Sequence, residues 1–110
     1  MSEELVDLTS KDQLMEILNK AGDKPVFIDF YATWCGKCEM LMPELEAIAE
    51  ANKGKGHYLK CDIEENEDIV ELYQVEALPT VILVKNKEKA GEMKGSKIEN
   101  FKNFMAKELA

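Results

Sequence analysis

Two cysteines, Cys35 and Cys38, are separated by two residues in the segment Trp34-Cys35-Gly36-Lys37-Cys38. The residues ahead of it, Pro25 to Ala32 (PVFIDFYA), carry the strongest strand signal in the chain, and from Cys35 onward the periodicity turns helical. A cysteine at the start of a helix faces backbone N–H groups that lack intrahelical partners and the positive end of the helix dipole. Both favour its thiolate, and the thiolate is the nucleophile of thiol–disulfide exchange. Cys38 lies nearly a turn further on, within reach of the mixed disulfide that such an attack creates. The spacing predicts a redox pair in which Cys35 attacks and Cys38 resolves.

Further residues bear on that chemistry. Asp29 is a carboxylate inside an apolar strand whose two pleat faces carry Val26, Ile28 and Phe30 on one side and Phe27 and Tyr31 on the other. Desolvation raises the proton affinity of such a group, which makes it a usable proton acceptor near neutral pH; a lysine within reach opposes the rise. Lys37 puts a cation one residue before Cys38. It favours the thiolate, stabilises the dithiol form and makes the pair more oxidising, so a mild thiol oxidant or disulfide isomerase is the alternative reading. Leu78 precedes Pro79 and is held extended, leaving backbone groups free for an incoming peptide strand.

A zinc site is the competing chemistry, since His57-x3-Cys61 would complete a set with Cys35 and Cys38. Four residues of strand span about 13 Å at ~3.3 Å per residue, too far for two ligands of one metal. The expectation is a metal-free redox site. Cys61 is expected to be a buried free thiol, and His57 and the methionines Met40, Met42, Met93 and Met105 are assigned no chemistry, the methionines being read as core filler.

These residues need a frame to hold them. Leu5–Leu8 reads as a short strand. A capping box, Ser10 to Gln13, opens a helix to Ala21 that Gly22 stops. Pro25–Ala32 is a strand covered on both faces, as parallel or mixed α/β sheets require. A helix from Cys35 carries Leu41, Leu45 and Ile48 on one face, with Pro43 expected to kink it. His57–Ile63 is a strand, Asn66 caps a short acidic helix through Tyr73, and Thr80–Val84 is a second fully buried strand. Asn86-Lys87 turns the chain into Ala90–Lys94. A second capping box, Ser96 to Glu99, opens a last helix with Ile98, Phe101, Met105 and Leu109 in one stripe. The order β-α-β-α-β-α-β-β-α, without repeat or linker, predicts one layered α/β domain over residues 1–110, its sheet made mixed by the final hairpin.

Composition agrees with that frame. In 110 residues, 45% are apolar, enough for one core. The 14 Lys+Arg against 22 Asp+Glu give a net charge of −8, which disfavours nucleic acid and anionic membrane as partners. No apolar run approaches the ~20 residues that cross a bilayer, and the acidic segment Met1–Thr9 has no signal-peptide core. Three cysteines are too few for a disulfide scaffold. The expected location is the cytoplasm, and the chain is expected to be a monomer.

The strand–WCxxC–helix arrangement resembles the thioredoxin family, and the likeness covers essentially the whole chain. It rests on Phe27-Ile28-Asp29-Phe30-Tyr31-Ala32-Thr33-Trp34-Cys35-Gly36-Lys37-Cys38, on Lys60-Cys61-Asp62-Ile63, on Leu78-Pro79-Thr80 and on Gly95. The resemblance implies a thioredoxin fold, a central mixed sheet of about five strands flanked by four helices, and protein-disulfide reduction by dithiol exchange. It implies that Asp29 handles the proton of Cys38 with Lys60 nearby, that Pro79 is a cis-proline opposite the dithiol, and that Trp34, Ile63, Leu78 and Gly95 form the substrate-facing rim. Gly36 and Lys37 are the redox-tuning positions, and Lys37 departs from the proline usual there. No bound cofactor is implied. Electrons would come through a thioredoxin reductase fed by NADPH or ferredoxin. Disulfide-bearing proteins such as peroxiredoxin, methionine sulfoxide reductase or ribonucleotide reductase would be the substrates.

Overall fold

A computed structural model of the chain describes residues 3–110, so Met1 and Ser2 of the N-terminal segment lie outside the described residues. Nine elements follow the expected order: β1 (Leu5–Asp7), α1 (Lys11–Ala21), β2 (Val26–Tyr31), α2 (Gly36–Ala51), β3 (His57–Asp62), α3 (Glu67–Tyr73), β4 (Thr80–Lys85), β5 (Glu88–Lys94) and α4 (Ile98–Leu109). The five strands form one sheet in the order β1-β3-β2-β4-β5. β3 runs parallel to both β1 and β2, whereas β4 is antiparallel to β2 and β5 to β4. The mixed sheet with four helices is the thioredoxin-type architecture that the motifs implied.

Strand alternation divides the core in two. Val26, Ile28 and Phe30 of β2 pack with Leu59 and Cys61 of β3 against Leu14 and Leu18 of α1 and Ile69 and Tyr73 of α3. Phe27 of β2, Tyr58 of β3 and Val81 and Leu83 of β4 face the other way, against Leu41, Leu45 and Ala49 of α2 and Phe101, Met105 and Leu109 of α4. Because side chains alternate along a strand, Asp29 shares the α2 side with Phe27, and Lys60 shares it too. Cys61 points to the α1 side. The four residues of the zinc reading therefore do not converge on one point.

The helix starts show where local reading succeeds and where it slips. Ser10 caps α1 as expected, accepting from the Gln13 N–H at 3.1 Å, while the Gln13 side chain reaches back to the Thr9 N–H at 2.7 Å. Asn66 heads α3 but does not cap it with its side chain. Its amide is buried and donates instead to the carbonyls of Leu8 and Asp62, both at 3.1 Å, tying the end of β1 to the β3–α3 loop. The box at Ser96 does not form. Lys97, with an extended backbone, holds the cap position of α4, and no side chain bonds there. Pro43 stands exposed within α2, which is a single element from Gly36 to Ala51. Met105 is core, and Met42 and Met93 pack partly buried against it. Met40 is 66% exposed, because its place on α2 turns away from the sheet.

The β4–β5 hairpin turns through Asn86 and Lys87, both left-handed with φ of 52° and 68°. Two such residues are the signature of a type I′ turn, whose twist suits adjoining strands. A Cβ at Gly91 of β5 would come within 3.2 Å of the Phe104 ring of α4, so a larger residue there requires that ring to shift.

Candidate active site

β2 ends at Tyr31, and a short turn through Thr33 and Trp34 delivers Cys35 to the cap position of α2. Its sulfur accepts the Cys38 N–H at 3.2 Å, so the helix start supplies a backbone donor to this sulfur. Cys35 and Cys38 are joined as a disulfide with their Cα atoms 5.3 Å apart. The two sulfurs differ in access. Cys38 is 1% exposed, while Cys35 is half-buried and lines an open groove.

That groove, about 420 Å³, is walled by Trp34, Cys35, Ile63, Val70, Val75 and the run Glu76-Ala77-Leu78. Three of the four residues assigned to the substrate rim thus meet around Cys35. Trp34 lies largely in solvent, 68% exposed, and its indole N–H donates to Glu64 at 3.3 Å. The Leu78–Pro79 peptide is cis, as the resemblance implied, and the Thr80 hydroxyl donates to the Ala77 carbonyl at 2.6 Å, closing the loop on itself. Gly95 is not a wall of this groove. Thr80 pairs with Lys94 in the ladder, so Gly95 falls just past the ladder beside Pro79, with φ of +131°, a conformation essentially restricted to glycine.

Asp29 and Lys60 sit apart from the groove, Asp29 in the core and Lys60 half-buried. Asp29 is 2% exposed and neither carboxyl oxygen has a hydrogen-bond partner among the described residues. Burial pushes its pKa from 3.8 up to about 7, against the pull of the Lys60 charge. Lys60 is its register neighbour on β3, and its ammonium lies 6.0 Å from the centroid of the Tyr31 ring. Tyr31, which the sequence offers only as a packing residue, is therefore the side chain against which that ammonium rests. Asp29 also borders a void of about 10 Å³ among Phe27, Leu45, Tyr58 and Val81, room for about one water molecule.

Sequence reasoning missed the groove's far wall. Val70, Val75 and Glu76 carry no signal in the sequence, because pairing across the β3–α3 and α3–β4 loops leaves no periodic trace.

A nucleophile-ready cysteine at a helix cap, a covered second cysteine and a cis-proline loop beside them define a thiol–disulfide oxidoreductase. The thioredoxin family model matches residues 5–107. The thioredoxin of Rickettsia felis is 39% identical over 98 residues, covering 89% of this chain and 85% of that one. Among solved structures, Malassezia sympodialis thioredoxin superposes with a TM-score of 0.88 at 30% identity, over 100% of this chain and 96% of its own. A chain from the crystal structure of the complex of ferredoxin:thioredoxin reductase and thioredoxin f2 superposes at 0.86 with 25% identity, over 94% of each. The chain belongs to the thioredoxin family, and its activity is protein-disulfide reduction.

Proposed function

We propose that the reduced protein works by a two-step exchange in which each cysteine has one task. The Cys35 thiolate attacks a sulfur of the substrate disulfide, that bond breaks, and a Cys35–substrate disulfide forms while the other substrate sulfur leaves and takes a proton from water. Cys38 then passes its thiol proton to the Asp29 carboxylate and attacks Cys35 Sγ. The Cys35–Cys38 disulfide forms, the second substrate sulfur leaves, and two electrons have moved to the substrate. The observation that carries this assignment is the difference in access: the Cys35 sulfur opens on the groove and the Cys38 sulfur does not. Lys60 supports Asp29 from β3, and Trp34, Ile63 and Leu78 receive the substrate segment, with Gly95 and Pro79 at its edge.

The exchange uses only the chain's own sulfurs and carboxylate, so no bound cofactor is assigned. Electrons return through a partner reductase drawing on NADPH or ferredoxin; the resemblance to a thioredoxin fold seen in complex with ferredoxin:thioredoxin reductase supports that class of partner. A cytoplasmic, reducing compartment suits a chain with one buried free thiol, Cys61. Among the described residues no helix is long and apolar enough to cross a membrane. The test is insulin reduction driven by dithiothreitol. Cys35→Ser is expected to be inactive. Pre-reduced Cys38→Ser, freed of dithiothreitol before insulin is added, is expected to accumulate a covalent Cys35–insulin adduct visible by mass; absence of that adduct overturns the assignment of roles.

A further inference from the structure

The groove beside Cys35 has one charged wall, Glu76, and it opens onto the most one-sided stretch of charge in the chain. From Asp62 to Glu76 there are seven carboxylates and no lysine or arginine, so this segment accounts for −7 of the net −8. Six of the seven are exposed: Glu64, Glu65, Glu67, Asp68, Glu71 and Glu76.

None of the seven is ion-paired among the described residues, whereas the ion pairs that do form engage lysines elsewhere, such as Lys20 with Glu16, Lys85 with Glu108 and Lys102 with Glu44. Glu64 is fixed at the groove's edge by the Trp34 indole. A cleft lined by one sign of charge attracts the opposite sign and raises association rates 10–10³-fold at low ionic strength.

From this groove and its uncompensated flank we infer that the physiological disulfide partner is basic where it docks. It presents a Lys or Arg beside its reacting cysteine, over Glu76 and Glu64, and an apolar side chain toward Ile63 and Leu78. The inference rests on the dithiol exchange proposed above and adds the chemical class of its substrate. Neutral disulfide segments lack the steering, and acidic ones meet seven like charges.

Two synthetic peptides, each closed by one disulfide and identical except for two Lys or two Glu beside one cysteine, test it. Reduction of each by the pre-reduced protein is followed through Trp34 fluorescence. The Lys peptide is expected to react at least about tenfold faster at 10 mM salt, the ratio falling toward one in 0.5 M KCl as the Debye length shrinks. In the double variant Glu71→Lys, Glu76→Lys the preference narrows or inverts. Equal rates for the two peptides at low salt, or a faster Glu peptide, overturn the inference while leaving the exchange mechanism intact. Failure to reduce either peptide or insulin brings down the mechanism, and the inference with it.

Discussion

Asp29 and Lys60 are register neighbours on β2 and β3, on the same face of the sheet, and no hydrogen bond or ion pair joins them. The carboxyl is sealed in the core and unpartnered, while the ammonium rests near the Tyr31 ring. A carboxylate with a close counterion is held below its ordinary range. Here desolvation dominates and the Lys60 charge only moderates it, leaving the group near neutrality.

The first consequence is for stability. A carboxyl whose pKa is higher folded than unfolded binds its proton more tightly in the native state, so it favours folding most at low pH. That contribution falls as pH rises from about 4 to about 7 and is then constant. A rise from 3.8 to about 7 corresponds to at most about 4 kcal/mol. Asn mimics the protonated form, so Asp29→Asn is expected to match the native protein near pH 4 and to exceed it by up to about 4 kcal/mol at pH 8. Urea unfolding of the oxidised protein at several pH values measures the difference. A constant difference across that window would mean that Asp29 does not titrate there.

Removing the cation tests the other half of the pair. Lys60 lowers the proton affinity of Asp29, so Lys60→Met is expected to move the pH at which stability levels off above 7, and to slow resolution of the Cys35 mixed disulfide at pH 7, where less Asp29 is ionised. Tyr31→Leu should act in the same direction and more weakly, since a ring–ammonium contact at this distance contributes about 0.5–1 kcal/mol at an exposed site. Once Lys60 is Met, replacing Tyr31 should change the pH profile no further. The pH dependence of single-turnover resolution provides both readings.

Much of this site was legible in the sequence, for a physical reason. Cys35, Cys38 and Asp29 lie on one strand–turn–helix stretch, where local rules fix which residue caps a helix and which alternates into a core. Pro79 was legible through the motif it shares with the family. The groove's remaining walls are not local: Val70 and Val75 meet Trp34 and Ile63 only once β3 lies beside β2 and α3 folds back over it. The contact between Lys60 and Tyr31 is also a product of strand register. Ser96 and Met40 show the opposite failure, a local pattern that tertiary placement overruled.

Lys37 is the departure from the family pattern most open to measurement. Lys37 and Gly36 are exposed in the first turn of α2, where proline is sterically tolerated. Lys37→Pro removes a cation next to Cys38 and restricts the loop, both of which disfavour the dithiol relative to the disulfide. The reduction potential is expected to become more negative, by less than the roughly 30 mV that a tenfold change in equilibrium constant represents. Equilibration with a dithiol–disulfide buffer followed by thiol trapping reads it directly. An unchanged or less negative potential removes Lys37 from the tuning positions.

Cys61 should be chemically silent in the folded protein. It is fully buried on the α1 side of the sheet, away from α2, and burial, helped by Asp62, Asp68, Asp7 and Asp29, pushes its thiol up to about 12. Little thiolate exists at neutral pH, and no reagent reaches the sulfur without opening the core. The oxidised protein is therefore expected to label with a thiol reagent only at the rate at which it unfolds, and at one site. Cys61→Ser places a hydroxyl among Phe30, Leu59 and Ile69 and should cost about 1–3 kcal/mol of stability. Cys61→Ala loses packing alone, about 1 kcal/mol. Neither should change the rate of insulin reduction at temperatures where the fold is intact, because Cys61 is no wall of the groove around Cys35. Rapid labelling of the native oxidised protein would show that the α1 side of the core opens without global unfolding.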